Sequence, residues 1–113
     1  MTKTITLEGG KEVKLAANAA TPFRFKQIFG QDLLKLFKKA ENEEEKPTMG
    51  EVITQMAFIM SKQFEKTDMN TLSMDDFFEW LEDYEPMDFV MAGEDIVNFY
   101  MASSKPSIEA KKK

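Results

Sequence analysis

Polar and apolar side chains alternate in two short runs within the first sixteen residues, and this alternation has the period of a β-strand. Residues 4–8 and 12–15 form two such runs, and Gly9-Gly10 between them is a turn signal. The pattern predicts a β-hairpin over residues 3–16, and the apolar side chains that share one face are Ile5, Leu7, Val13 and Leu15. Because an isolated hairpin is marginally stable in water, we expect this face to pack on the helices that follow.

Beyond the hairpin, apolar residues recur at helical spacing. They predict helices at about residues 22–40, 49–66, 74–84 and 87–102. Thr21-Pro22 is suited to begin the first helix, with the threonine as its N-cap, and Gly30 is suited to stop or break it. Gly93 is either a close-packing point or a break between two helices.

Four further signals concern the ends of the helices. Thr48 and Glu51 resemble a capping box, and Ser73 resembles another N-cap. The acidic residues 41–45 form a candidate linker or a solvated helix end. Residues 103–113 contain one apolar residue besides alanine, Ile108, and end in three lysines, so we expect a disordered basic tail.

The helical stripes also predict which side chains face the core. In the segment 74–84 the apolar side is formed by Phe77, Phe78, Leu81 and Tyr84, and Trp80 falls off that stripe. The inward-facing residues predicted for the other two long segments are Val52, Ile53, Met56, Ile59, Met60 and Phe64, and Phe89, Val90, Ile96, Val97 and Tyr100. The predicted fold is α+β: a single domain over residues 1–102, with the hairpin packed on a bundle of four to five helices.

The amino-acid composition limits the catalytic and metal-binding groups that the chain contains. The 113 residues include no histidine and no cysteine, but nine methionines and ten phenylalanines. The chain therefore lacks a thiolate nucleophile, a soft metal ligand and a side chain that titrates near neutral pH unaided. Methionine adapts to imperfect fits and is over-used on surfaces that accept several partners. We expect a protein that binds other proteins, and no enzyme and no cofactor.

The net charge, the length of the apolar runs and the absence of cysteine bear on the cellular location of the chain and on its class of partner. The net charge of −5 disfavours nucleic-acid binding, because phosphates repel an acidic surface. No apolar run approaches the roughly 20 residues needed to cross a bilayer, and the N-terminal segment is too polar for a signal peptide. Without disulfides, a cytoplasmic protein is the natural expectation.

One segment resembles a calcium loop. Counted from Asp68, oxygen-bearing side chains occupy positions one, three, nine and twelve, the last two being Asp76 and Glu79. The fifth position is Leu72 instead of a ligand, and the sixth is Ser73 instead of glycine. We therefore interpret the segment as a helix N-terminus and expect no metal site.

A set of large apolar residues offers the best candidate for an interaction site: Met74, Trp80, Met87 and Met91. They could fill an irregular small core. Alternatively, some of them could form an exposed apolar patch, since tryptophan and methionine are favoured at protein interfaces.

Residues 13–33 resemble a recurring opening in the tail assembly chaperones of tailed bacteriophages and prophages. In that family a short hairpin leads into a small-residue stretch and a threonine-proline helix start, here Thr21-Pro22. An aromatic-basic-aromatic run and a phenylalanine-glycine-x-aspartate step follow, here residues 23–25 and 29–32. The rest of the chain resembles the family in its acidic, helical and aromatic-rich character.

The resemblance implies a non-enzymatic chaperone in the bacterial host cytoplasm. Such proteins bind the tape measure protein and help recruit tail tube subunits. Self-association is a further candidate interaction of this chain. The family offers no fixed set of functional residues, so it implies no site. The alternative is a small helical virion structural or regulatory adaptor protein.

Overall fold

The computed structural model describes residues 1–40, 49–68 and 70–112 and confirms the α+β fold, an N-terminal hairpin followed by helices. Two of the predicted helical segments are each divided in two, at Gly30 and at Ala92, which gives six helices in the described ranges. The strands are β1 (Thr2–Thr6) and β2 (Glu12–Ala16), and the helices are α1 (Thr21–Phe29), α2 (Leu33–Ala40), α3 (Met49–Phe64), α4 (Met74–Leu81), α5 (Asp88–Met91) and α6 (Gly93–Lys112).

The hairpin forms with the predicted apolar face. β1 and β2 pair antiparallel, with Ile5 opposite Val13, and Gly10 adopts a φ of 93° in the turn. Such a positive φ is readily available only to glycine. The four residues of the predicted face are all buried, and β2 lies against α3.

Helix α3 is enclosed on every side at its centre. The five successive residues from Met56 to Met60 are each 0% exposed. Since a helix turns once in about 3.6 residues, five buried residues in a row leave no outward face. The sequence predicted a stripe and therefore missed Ala57 and Phe58 as core residues. The surrounding elements are β2, α1, α4, α5 and α6.

An aromatic cluster joins α4 to α3. The ring of Phe58 lies edge-on to those of Phe77 and Trp80, with centroids 5.2 and 5.4 Å apart, and Trp80 stacks on Phe89 at 4.9 Å. Trp80 is therefore a core residue, which corrects its predicted place off the apolar stripe. The reason is that α3 and α5 approach α4 together, so the buried face of α4 centres on Phe77 and Trp80.

The opposite correction applies to three residues predicted to face inward. Phe78 is 57% exposed and Val90 is 43% exposed, and Phe64, at the end of α3, is 38% exposed. Phe99, which was not predicted, is buried in α6. Gly93 begins α6, and a Cβ built on it would lie 3.0 Å from Cδ1 of Ile53. It is therefore both a helix break and a close-packing point.

Thr21 holds a corner between the hairpin and the helices. It does not serve as the N-cap; that position belongs to Ala20, and Thr21 is the first helical residue and is fully buried. Its Oγ1 accepts hydrogen bonds from the backbone N–H of Asn18 (3.1 Å) and from Nε2 of Gln63 (2.9 Å). Nε2 of Gln63 also donates to the Ala16 carbonyl at 2.7 Å, so β2, α1 and α3 meet at one amide group.

Several helix ends follow the sequence signals. Gly30 ends α1 with a φ of 71°, and the Asp32 carboxylate accepts from the backbone N–H groups of Leu34 and Lys35 at the start of α2. Ser73 caps α4 in a capping box with Asp76. The candidate linker at 41–45 and Thr48 of the other predicted capping box lie outside the described residues.

The C-terminal helix is longer than predicted. A tail without regular structure was expected from residue 103, whereas the α6 backbone stays helical to Lys112. The sequence contains no glycine after Gly93 that could end the helix in a left-handed conformation. No helix in the described ranges is both long enough and apolar enough to span a membrane.

We expect Gln63→Ala to lower the free energy of unfolding by about 1–3 kcal/mol, because it removes the donor to Ala16 and Thr21 at the corner. Urea denaturation measures this change. Gln27→Ala is the matched control, since Gln27 is an exposed glutamine on α1. It should alter stability by less than about 0.5 kcal/mol. Equal effects of the two substitutions would contradict the role of the corner.

Candidate protein-interaction groove

An open groove of about 700 Å³ lies between the start of α3, helix α4 and helix α5. The connection between α4 and α5 also lines it. We call it the α3–α4–α5 groove. Most of its described lining is apolar or aromatic. The described residues that line it are Gly50, Glu51, Thr54, Gln55, Met74, Phe77, Phe78, Leu81, Tyr84, Glu85, Pro86, Phe89 and Val90.

Helix α4 forms one wall of the groove. Its buried side is fixed by Phe77 and Trp80, which leaves Met74, Phe78 and Leu81 at i, i+4 and i+7 along the groove. Met74 is 39% exposed and Phe78 is 57% exposed. This wall is thus an apolar ridge in contact with solvent.

The first turns of α3 and helix α5 form the rest of the groove. Gly50 lies so close to α5 that a Cβ built on it would be 3.2 Å from Cγ2 of Val90. The Thr54 hydroxyl donates to the Gly50 carbonyl at 2.9 Å, so its polar group is occupied within α3. The buried ring of Phe89 completes the groove lining on α5.

The four predicted interaction residues lie in different environments. Met74 lines the groove. Met87 and Met91 are 56% and 61% exposed, and they share an outward face of α5 with the groove residue Val90. Trp80 is buried in the aromatic cluster, so its predicted membership of an exposed patch is wrong and its alternative place in the core is correct.

Sequence reasoning also missed Phe78 as an exposed residue of this site. One feature of the sequence indicates that one of the two adjacent phenylalanines of α4 is exposed. Consecutive residues of a helix point about 100° apart, so Phe77 and Phe78 cannot both face the centre of one core in a short helix. Only the positions of α3 and α5 decide which of the two is buried.

The charged residues in the described lining of the groove are both acidic. Glu51 and Glu85 are the charged groups among its described lining residues. The segment 74–95, which contains α4, α5 and the start of α6, has no lysine or arginine. Its nine acidic residues are Asp75, Asp76, Glu79, Glu82, Asp83, Glu85, Asp88, Glu94 and Asp95. Exposed methionine and phenylalanine side chains therefore lie in an acidic field.

Tyr84 connects the groove to the hairpin. The Lys11 ammonium donates to the Asp83 carbonyl and lies 5.2 Å from the centre of the Tyr84 ring. Burial raises the pKa of Tyr84, and the carboxylates of Asp83, Glu65 and Asp88 raise it further. The Tyr84 side chain is therefore neutral at physiological pH. Its ring lines the groove.

The calcium-loop segment has the structure of a helix start. The Asp68 carboxylate accepts from the backbone N–H of Asn70, and the Asp76 carboxylate accepts from the backbone N–H of Ser73. No group of three or more acidic side chains that could hold a metal ion occurs within the described part of the chain.

Comparison of the chain with protein-family models, with curated proteins and with solved structures gave no match.

The adjacent phenylalanines of α4 should differ sharply in their effect on stability. Phe77→Ala should cost about 3–5 kcal/mol, because it removes a buried ring that contacts Phe29, Phe58 and Trp80. Phe78→Ala should change the free energy of unfolding by about 0.5 kcal/mol or less, because its ring is largely in solvent. Urea denaturation of both variants checks this; a large loss from Phe78→Ala would show that the groove wall belongs to the core.

The raised pKa of Tyr84 predicts a loss of stability in alkali. The folded state keeps the phenolic proton to higher pH than the unfolded chain, whose ordinary pKa is 10.0. The free energy of unfolding is therefore unaffected below that pH and falls as the pH rises above it. Burial raises the pKa of Tyr100 in the same direction.

We expect the fall above pH 10 to be smaller in Tyr84→Phe than in the parent protein. Urea denaturation over a pH series measures it, and because the two proteins differ only in the hydroxyl of residue 84, the difference between them reports the ionisation of Tyr84. The same slope in parent and variant would contradict the assignment.

Proposed function

We propose that this chain is a non-enzymatic tail assembly chaperone of a tailed phage or prophage. It binds the tape measure protein in the bacterial host cytoplasm and helps recruit tail tube subunits. The observation that carries the proposal is the open α3–α4–α5 groove, an apolar surface within an acidic part of a small domain.

The groove supports a binding role because its apolar side chains stay in contact with solvent. Met74, Phe78 and Val90 line the groove and are exposed. Contiguous exposed apolar surface on a small protein marks an interaction site. A tape measure protein offers a matching surface, since its long helices expose apolar stripes until tube protein covers them.

The resemblance of residues 13–33 to tail assembly chaperones supports the choice of partner. In the structure these residues build the corner at Thr21, the buried ring of Phe25 and the left-handed stop at Gly30. They are structural residues remote in role from the groove. The resemblance therefore supports a shared scaffold, and the groove supports the binding function.

The chemistry of the chain supports a non-enzymatic role. It has no histidine or cysteine, and the described groove lining provides two carboxylates, Glu51 and Glu85, among apolar side chains. General acid–base catalysis by carboxylates requires two such groups with separated pKa values held across a substrate. The negative charge instead suits a chaperone that keeps an apolar partner in solution.

Co-expression with the tape measure protein encoded in the same phage or prophage genome tests the proposal. We expect the chain to increase the soluble fraction of the tape measure protein and to copurify with it. Purified phage particles should lack the chain. Mass spectrometry of those particles distinguishes the alternative, because a virion structural protein would remain in them.

Two outcomes would contradict the proposal. One is a tape measure protein whose solubility does not change with the chain and which does not copurify with it. The other is stoichiometric retention of the chain in finished particles, which would favour the structural adaptor.

A further inference from the structure

We propose that the α3–α4–α5 groove receives one amphipathic helix whose apolar stripe is flanked by lysine or arginine. This inference rests on the proposed function and specifies which part of a tape measure protein the groove would bind. It follows from the shape of the groove, the spacing of its apolar side chains and the sign of the charges around it.

The shape of the groove favours a helix. Its described lining comes from α3, α4, α5 and the α4–α5 connection, and neither strand of the hairpin contributes to it. A peptide that binds by strand addition requires a free sheet edge, which this lining does not supply. A helix can instead place its ridge between helices by ridge-into-groove packing.

The spacing of the wall residues matches such a partner. Met74, Phe78 and Leu81 project along α4 at i, i+4 and i+7, and Val90 faces the groove from α5. A bound helix with apolar side chains at i, i+3 or i+4, and i+7 would contact this ridge over two turns. The flexible side chain of Met74 can adjust to partner side chains of different shape.

The charges of the groove favour a partner helix that has basic residues beside its apolar stripe. Glu51 on α3 and Glu85 after α4 are the charged residues in the described lining, and they come from different sides of the groove. Lysine or arginine beside the apolar stripe of the partner would approach them, whereas glutamate or aspartate there would be repelled. The acidic segment 74–95 extends the same preference beyond the groove.

The same charges disfavour other occupants. A second copy bound groove to groove would bring its own Glu51 and Glu85 toward those of the first copy, which is a like-charge contact in a two-fold interface. A nucleic acid or an anionic membrane surface would be repelled for the same reason.

The test uses two synthetic amphipathic peptides of about 15 residues or slightly more, a length at which isolated helices become marginally stable. Both carry the same leucine stripe, and they differ only in having lysine or glutamate on either side of it. Fluorescence anisotropy of a dye on the peptide measures affinity for the full chain. At low salt we expect the lysine-flanked peptide to bind at least about tenfold more tightly. This preference should shrink as salt rises.

Two matched variants locate the binding site. Phe78→Ala should weaken binding of the lysine-flanked peptide by about tenfold or more, because it removes an aromatic anchor from the groove wall. Phe23→Ala is the control, since Phe23 is 76% exposed on α1 and does not line the groove. It should leave binding unchanged.

A third variant tests the charge preference. Glu51→Gln with Glu85→Gln keeps the shape of both side chains and removes their charge. We expect it to reduce the difference in affinity between the two peptides. Urea denaturation of each variant establishes that it is folded before binding is measured.

Three results would overturn the inference: equal affinity for the two peptides, a loss of binding in Phe23→Ala as large as that in Phe78→Ala, or peptide binding that depends on dimerisation of the chain in sedimentation. The outcome for the proposed function is separate. If Phe78→Ala still binds the tape measure protein at parental strength while no peptide binds the chain, the groove inference fails and the chaperone proposal stands. If the peptides bind as expected but the tape measure protein does not, the chaperone proposal fails.

Discussion

The rest of the structure depends on the need to cover α3 on all sides. The five residues from Met56 to Met60 are fully buried, and a helix that is apolar all round is stable only inside a protein. The hairpin, α1, α4, α5 and α6 all contact this helix. The amide of Gln63 joins two of these covering elements to α3 through hydrogen bonds to Ala16 and Thr21.

The groove lies where that cover ends. The first turns of α3, at Gly50 and Thr54, are flanked by α4 and α5 but are not enclosed by them as the centre of the helix is. The apolar side chains at this end therefore remain in contact with solvent. Removing apolar surface from water is favourable by about 25 cal/mol per Å² before the entropic cost of association, so an open end of the core is a natural place for a partner to bind.

The candidate site combines exposed apolar side chains with negative charge. The side chains of Met74, Phe78 and Val90 are exposed apolar contact area, and the proposed preference for basic partners rests on Glu51 and Glu85. The residues that resemble tail assembly chaperones lie at the corner around Thr21 and serve the fold. The scaffold and the proposed binding surface are thus separate parts of one small domain, and substitutions can test them independently.

The sequence by itself determined the local elements, because hairpin alternation, the stop at Gly30 and the Ser73 cap depend on near neighbours in the chain. It also determined the chemistry, since histidine and cysteine are absent throughout. Burial on α4 was decided only by tertiary structure. Helical spacing cannot tell whether one or two neighbours approach α4, and the joint approach of α3 and α5 buried Trp80 and left Phe78 in solvent. Among the described residues, the groove likewise forms because distant segments leave one end of α3 uncovered.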